Sequence, residues 1–266
     1  MVEDRAPGGG WVPGGPSLYS ARTALALGAE VTLFTALTPW YDRAMLEGIE
    51  LRTLAAEMCP RYANSYDAAG DRTQLLLEEG PALKPVTMGL PPAADALVVA
   101  PAFHELGAIP GFRARFIAVS LQGVLRSVDA AHRVSPAADP IARATAFAVE
   151  GAYLFLSEED TADPEEVARF CMGRGGTVFV TRGYRGATLY REGHESHLDP
   201  LPAAPVDPTG AGDCFATAFI VRLAETGDLA ASCQFALAAG AIATEGVGLA
   251  GVPGRAEVED RLKVTA

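Results

Sequence analysis

Seven short aliphatic or β-branched runs dominate the pattern of this chain. They are "VTLFTAL" (31–37), "TQLLLEE" (73–79), "ALVVAPAF" (96–103), "RFIAVSLQG" (115–123), "AYLFLS" (152–157), "GTVFVTRG" (176–183) and "ATLYREG" (187–193). Several are continuously apolar rather than alternating, the pattern of strands buried on both faces. Helical stretches lie between many of them. "SLYSARTALALG" (17–28) follows Pro16 and stops at Gly28, which suits a C-terminal glycine cap. "DPEEVARFCMGRGG" (163–176) opens with Asp-Pro and two glutamates and ends in glycines. Two Ala-rich helices are expected over about 213–225 and 229–245, split by "ETGD". Strands alternating with helices imply an α/β fold: a Rossmann-like, mainly parallel sheet with helices on both faces. The segment 61–80 differs. It alternates, carries "DAAGD" as a turn and has no helix of its own, so it reads as a small strand pair off the main sheet.

The length, 266 residues, allows one large domain or two small ones, and one domain spanning 1–266 is expected. A net charge of −12 argues against a nucleic-acid partner, which needs a basic face. It does not exclude an anionic ligand, because local backbone dipoles can act against the global sign. Cys59, Cys171, Cys214 and Cys233 form no C-x-x-C pair and read as reduced, buried residues. "GHESH" brings His194 and His197 together among polar residues that read as a loop, with too few ligands for zinc. No apolar run reaches the ~20 residues that span a bilayer, and the first residues lack the build of a signal peptide. No membrane partner and a cytoplasmic location are the expectations.

The stretch "VDPTGAGDCFATAFI" (206–220) carries the chemistry. Phe215, Ala218, Phe219 and Leu223 have helical spacing, so Gly210, Ala211 and Gly212 fall at a helix N-terminus. The first amides of a helix have no intrahelical partner, and the dipole adds positive charge there. Small residues let an anion approach those amides, which makes an anion site. Asp213 falls in the first turn. A first-turn carboxylate that merely stabilises its helix would account for the aspartate but not for three small residues before it. A P-loop is excluded, because neither Lys84 nor Lys263 follows a glycine. "GVGLAG" (246–251) has dinucleotide-fingerprint spacing but follows a helical run rather than a strand, and reads as a loop.

Three further stretches are open to two readings each. Gly14 and Gly15 precede a helix, either to let a polar ligand lie against the backbone or as a flexible leader. "VFVTRGYRGATLY" is strand, glycine turn, strand: Thr181 and Gly183 either line a nucleotide pocket or close a plain hairpin. "LSEED" (156–160) ends a strand with three carboxylates, which either hold Mg²⁺ through water or start a solvated helix.

Together these stretches resemble the ribokinase (PfkB) family of sugar and nucleoside kinases. "DPTGAGD" resembles the family's D-T-x-G-A-G-D motif with Pro208 inserted, and "GGPSLYSARTALALGAEVTLFTAL" its Gly-Gly motif, helix and strand. "LSEED" lies at its N-x-x-E motif and "VTRGYRGATLY" at its T-x-G-x-x-G strand pair, in the same order from about residue 14 to 250. The resemblance implies a ribokinase-like core with a small β lid at about 61–80. It also implies ATP-dependent phosphorylation of a sugar-like hydroxyl, with Mg²⁺. By residue match, Asp213 is the catalytic base, and the amides of Gly210, Ala211 and Gly212 form the anion hole. Thr181, Gly183, Thr209 and Gly240 lie by the nucleotide, Gly14 and Gly15 by the substrate, and Glu158 and Asp160 near the metal. A homodimer through the lid is a further implication.

Four departures stand out. No opening strand is evident before Gly14, because residues 1–13 contain Glu3 and Asp4 but no apolar run. Tyr19 takes the place of an asparagine, Ser157 and Asp160 replace the ends of N-x-x-E, and the short linker 37–61 implies a reduced lid. "VSLQGVLR" (119–126) resembles the D-x-Q-G-x-x-R strand end of members similar to myo-inositol kinases, with Ser120 in place of Asp. That makes Gln122 and Arg126 candidate substrate contacts and an inositol-like polyol the implied substrate. Nucleoside phosphorylation, or sugar and nucleotide sensing without catalysis, are the alternatives.

Overall fold

A computed structural model describes residues 1–6, 9–66, 72–84 and 93–265. β1 (Val2–Arg5) and β2 (Trp11–Gly14) lead into α1 (Pro16–Ala26), followed by β3 (Thr32–Leu37), β4 (Glu50–Ala55), β5 (Arg61–Tyr66) and β6 (Arg72–Glu78). Next come β7 (Ala94–Val99), β8 (Ala114–Ser120), β9 (Arg126–Val128), β10 (Val134–Pro136), α2 (Pro140–Ala144), β11 (Tyr153–Ser157), α3 (Pro164–Gly173) and β12 (Thr177–Thr181). The chain continues through β13 (Ala187–Arg191), β14 (His194–Leu198), α4 (Ala211–Thr226), α5 (Leu229–Ala243) and α6 (Arg255–Thr265).

Six strands form the main sheet in the order β14-β13-β12-β11-β8-β7. From β12 to β7 the neighbours are parallel, and β13 and β14 add antiparallel edges. The period of two explains the continuous apolar runs. Leu154, Leu156, Val178 and Val180 face α3, packing with Val167, Ala168 and Cys171. The residues between them, Phe155 and Phe179, face α4 and pack with Phe215 and Phe219. Phe155 and Phe179 stack with centroids 5.0 Å apart. Helices therefore cover both faces, as the alternating pattern predicts. All four cysteines are free and buried. No helix of the described residues is long and apolar enough to cross a membrane.

The N-terminal expectation needs correcting. Residues 1–14 form two strands, and the second sheet is four-stranded, β2-β1-β5-β6, rather than a strand pair. β1 is a short polar strand whose partners define it: it pairs antiparallel with β2 and parallel with β5. Buried Glu3 accepts from Arg61 Nε at 2.8 Å. The turn "DAAGD" lies outside the described residues. "GHESH" is also corrected, from loop to edge strand: His194–Leu198 form β14, antiparallel to β13. Its side chains are mostly solvent-facing, so no apolar alternation marked it.

Candidate active site

Gly210 caps α4 with φ 79°, a left-handed conformation that glycine adopts without strain. A side chain there would also run into the ring of Tyr19, which lies flat against this backbone. Tyr19 is buried with Cys214 and Ala243. The residue that departs from the family's asparagine therefore buttresses the Gly-rich turn. Asp207, the first residue of the motif, clasps two loops: it accepts from Thr209 N and from Gly248 N, both at 2.9 Å. Desolvation works against its charge, but these hydrogen bonds hold its carboxyl below the usual range. "GVGLAG" is thereby tied to the turn. It is a loop and a short 3₁₀ segment (Gly248–Gly251) following α5, not a dinucleotide turn.

Of the three amides expected to form the anion hole, those of Gly210, Ala211 and Gly212, one has a backbone partner. Ala211 N–H is engaged by the Pro208 carbonyl at 3.1 Å. Gly210, Gly212 and Asp213 N–H have no acceptor among the described residues, as expected at the start of a 16-residue helix. Asp213 lies in that turn, half-buried. Desolvation pushes its carboxyl up to about 7; the Arg126 charge opposes this and the Asp160 charge adds to it. Asp213, Arg126 and Asp160 thus share one cleft.

Asp160 accepts from Ser157 N at 2.7 Å, and burial raises its pKa despite this bond and one from Gln122. Arg126 begins β9. Its Nη1 reaches the Ala102 carbonyl at 3.4 Å, and its guanidinium lies 5.7 Å from the Tyr62 ring centroid. The Tyr62 hydroxyl donates to the same carbonyl at 3.0 Å, so Arg126 joins the second sheet to the cleft. Gly14 and Gly15 lie at the end of β2 and the start of α1. A side chain at Gly14 would collide with the Asp4 carboxylate, and one at Gly15 with Val2 at 2.5 Å. The glycines therefore let β1 pass closely, with the Asp4 carboxylate against Gly14. The sequence reading named Glu3 and Asp4 ahead of the Gly-Gly turn but selected neither.

Thr181 ends β12 and Gly183 opens an exposed turn with φ 54°. Thr209 is exposed beside Gly210. Gly240 lies in α5, where a Cβ would stand 3.4 Å from Phe215 Cβ; its smallness lets α5 approach the first turns of α4. Glu158 is engaged by Arg185 and by Arg182 at 3.5 Å. Among the described residues no group of three or more His, Cys, Asp or Glu gathers as a metal site.

This fold and cleft define a ribokinase-like α/β protein, with a helix-capping Gly-Ala-Gly-Asp turn facing a second β-sheet. Residues 134–253 match the model of the pfkB family carbohydrate kinases. The ribokinase of Bacillus subtilis (strain 168) is 40% identical over 86 residues, which cover 32% of this chain and 29% of that protein. An inositol 3-kinase of Oryza sativa subsp. japonica is 35% identical over 114 residues, covering 40% of this chain and 27% of that one. The chain thus matches less than a third of the length of these relatives. The ribokinase of Thermotoga maritima superposes with a TM-score of 0.70 at 20% identity, over 98% of this chain and 95% of the other. Residues 134–253 thus carry the family match, and the chain as a whole shares the ribokinase fold.

Proposed function

We propose that this chain is an ATP-dependent phosphotransferase acting on a hydroxyl of a small sugar or inositol-like polyol. The observation that carries the reading is the pairing of Asp213, with its carboxyl raised to about 7, and the open amides of Gly212 and Asp213 in the same helical turn. A base with a pKa near the working pH is well matched to accept a hydroxyl proton. As that proton moves to Asp213, the substrate oxygen attacks the γ-phosphorus and the bond to ADP breaks. The open amides and Arg126 are placed to stabilise the transferring charge. Gly14, Gly15, Asp4 and Gln122 would hold the polyol, with Thr181, Gly183, Thr209 and Gly240 on the nucleotide side. Mg²⁺ would neutralise phosphate charge. Asp160 fits it better than Glu158, whose carboxylate is committed to Arg182 and Arg185. The second sheet is read as the lid, and a pair of chains meeting through it remains part of this proposal.

The test is ADP release from ATP and Mg²⁺ across sugars, inositols and nucleosides, with Asp213→Asn as control. Turnover on sugars or inositols, lost in the variant, supports the reading. Turnover on nucleosides alone assigns a nucleoside kinase instead. ATP binding without turnover on any of them assigns a sensor.

A further inference from the structure

The loop after β7 carries groups that the proposed reaction does not use. Residues 101–105, "PAFHE", press against the turn that joins β8 to β9. A Cβ at Gly123 of that turn would collide with the Pro101 carbonyl oxygen and the Ala102 carbonyl carbon. The loop is held at three points. The Glu105 carboxylate accepts from Ala102 N at 3.2 Å and from Phe103 N at 2.7 Å. The Ala102 carbonyl accepts from the Tyr62 hydroxyl at 3.0 Å and from Arg126 Nη1 at 3.4 Å. His104 makes the third link: its Nε2–H donates to the Arg126 backbone carbonyl at 2.9 Å. A carbonyl only accepts, so this bond places the proton on Nε2.

Two observations single out His104. The first is its backbone, with φ 49°, in the left-handed region that glycine favours. A residue with a Cβ stays there where its surroundings hold it, and such residues cluster at functional sites. Here the ring is clamped against Phe103, with centroids 4.0 Å apart and planes 24° apart. The second is the need of its partner. Arg126 pairs with Pro136 of β10, which has no N–H to give. The next donor of β10, Ala137 N, goes to the Leu125 carbonyl at 2.7 Å. The Arg126 carbonyl therefore takes its bond from His104 and not from its own ladder. Burial and the Arg143 charge hold the imidazole below its usual range, against the backbone bond to Arg126. It acts through its N–H and not through a charge.

The Arg126 side chain depends on that support. Its guanidinium makes no ion pair among the described residues, and it rests on the Ala102 carbonyl and the Tyr62 ring. We propose that His104 is a positioning residue for phosphoryl transfer, fixing the backbone of Arg126 and so aiming its guanidinium into the cleft of Asp213 and Asp160. This role rests on the reading of Arg126 as the cation that stabilises the transferring charge.

The test is steady-state kinetics of the full chain carrying His104→Gly, His104→Asn, Arg126→Leu, or His104→Gly with Arg126→Leu. Glycine adopts φ 49° without strain but has no ring, so a histidine that only fills its place predicts unchanged turnover in His104→Gly. The positioning role predicts a kcat about tenfold or more lower, with KM for the polyol little changed. His104→Asn tolerates the same backbone and carries an amide donor, so it should recover part of the loss. In the Arg126→Leu chain, His104→Gly should cost less than about a further twofold. Unchanged kcat overturns the proposal, and so does an equal loss in the two backgrounds. Should His104→Gly fail to fold, His104→Phe carries the same cycle, keeping a ring against Phe103 without the N–H. A second readout needs no turnover: the Nε–H signal of Arg126 in ¹⁵N NMR, assigned by its loss in Arg126→Leu. It should be that of an ordered side chain in the parent and of a mobile one in His104→Gly; an unchanged signal overturns the positioning. A parent chain without turnover on any acceptor would instead defeat the kinase reading, so the two failures are distinguishable.

Discussion

Asp213 combines a catalytic assignment with a stability consequence. Removing a general base costs about 10²–10⁴ in rate. Asp213→Asn is therefore expected to lower kcat by that factor in the ADP-release assay while ATP still binds. In the parent protein kcat/KM should rise with pH through about 7, as the base loses its proton. Arg126 opposes the upward shift, so Arg126→Leu should move that profile to higher pH. The folded carboxyl titrates above its ordinary value of 3.8, so the native state holds a proton that the unfolded chain has lost between there and about 7. Stability linked to this group falls as pH rises across that window and stays reduced above it. Asp213→Asn should accordingly raise Tm at pH 8, with the gain fading towards pH 5, as differential scanning calorimetry would read.

Among the elements, the Gly-Ala-Gly-Asp turn was legible from sequence because its needs are local: small residues, a helix period and a carboxylate in the first turn. What holds the turn was not legible. Tyr19 and Gly248 reach it from positions remote in the chain, and nothing in their spacing signals that contact. Gly210→Ala combines strain at φ 79° with a collision against the Tyr19 ring. It should cost about 1–3 kcal/mol, seen as a lower urea midpoint, with activity falling as the amides turn away. β1 was missed for a related reason: "VEDR" has no apolar pattern, and its strand conformation depends on β2 and β5. Arg61 is the ionic partner of buried Glu3 across that sheet. Arg61→Met leaves the carboxylate uncompensated and should destabilise the protein by roughly 3 kcal/mol at neutral pH in the same urea titration.

For the whole molecule, the doubly covered sheet was readable because continuous apolar runs, helix caps and glycine stops all pointed to one architecture. The separate pairing of β3 with β4 was not, since no local pattern marks an open edge. Four phenylalanines meet in the core beneath α4: Phe179 is fully buried against Phe155, Phe215 and Phe219. Phe179→Ala should cost about 3–5 kcal/mol, a large part of the margin of an ordinary domain, and should lower Tm or abolish recovery of folded protein. Tyr19 carries a last consequence. Its ring reaches from α1 onto the cap of α4 at Gly210, so a tilt of one helix is transmitted to the other without slack. In the proposed reading, the polyol side and the phosphate side of the cleft are two arms of one lever, with Tyr19 as its fulcrum.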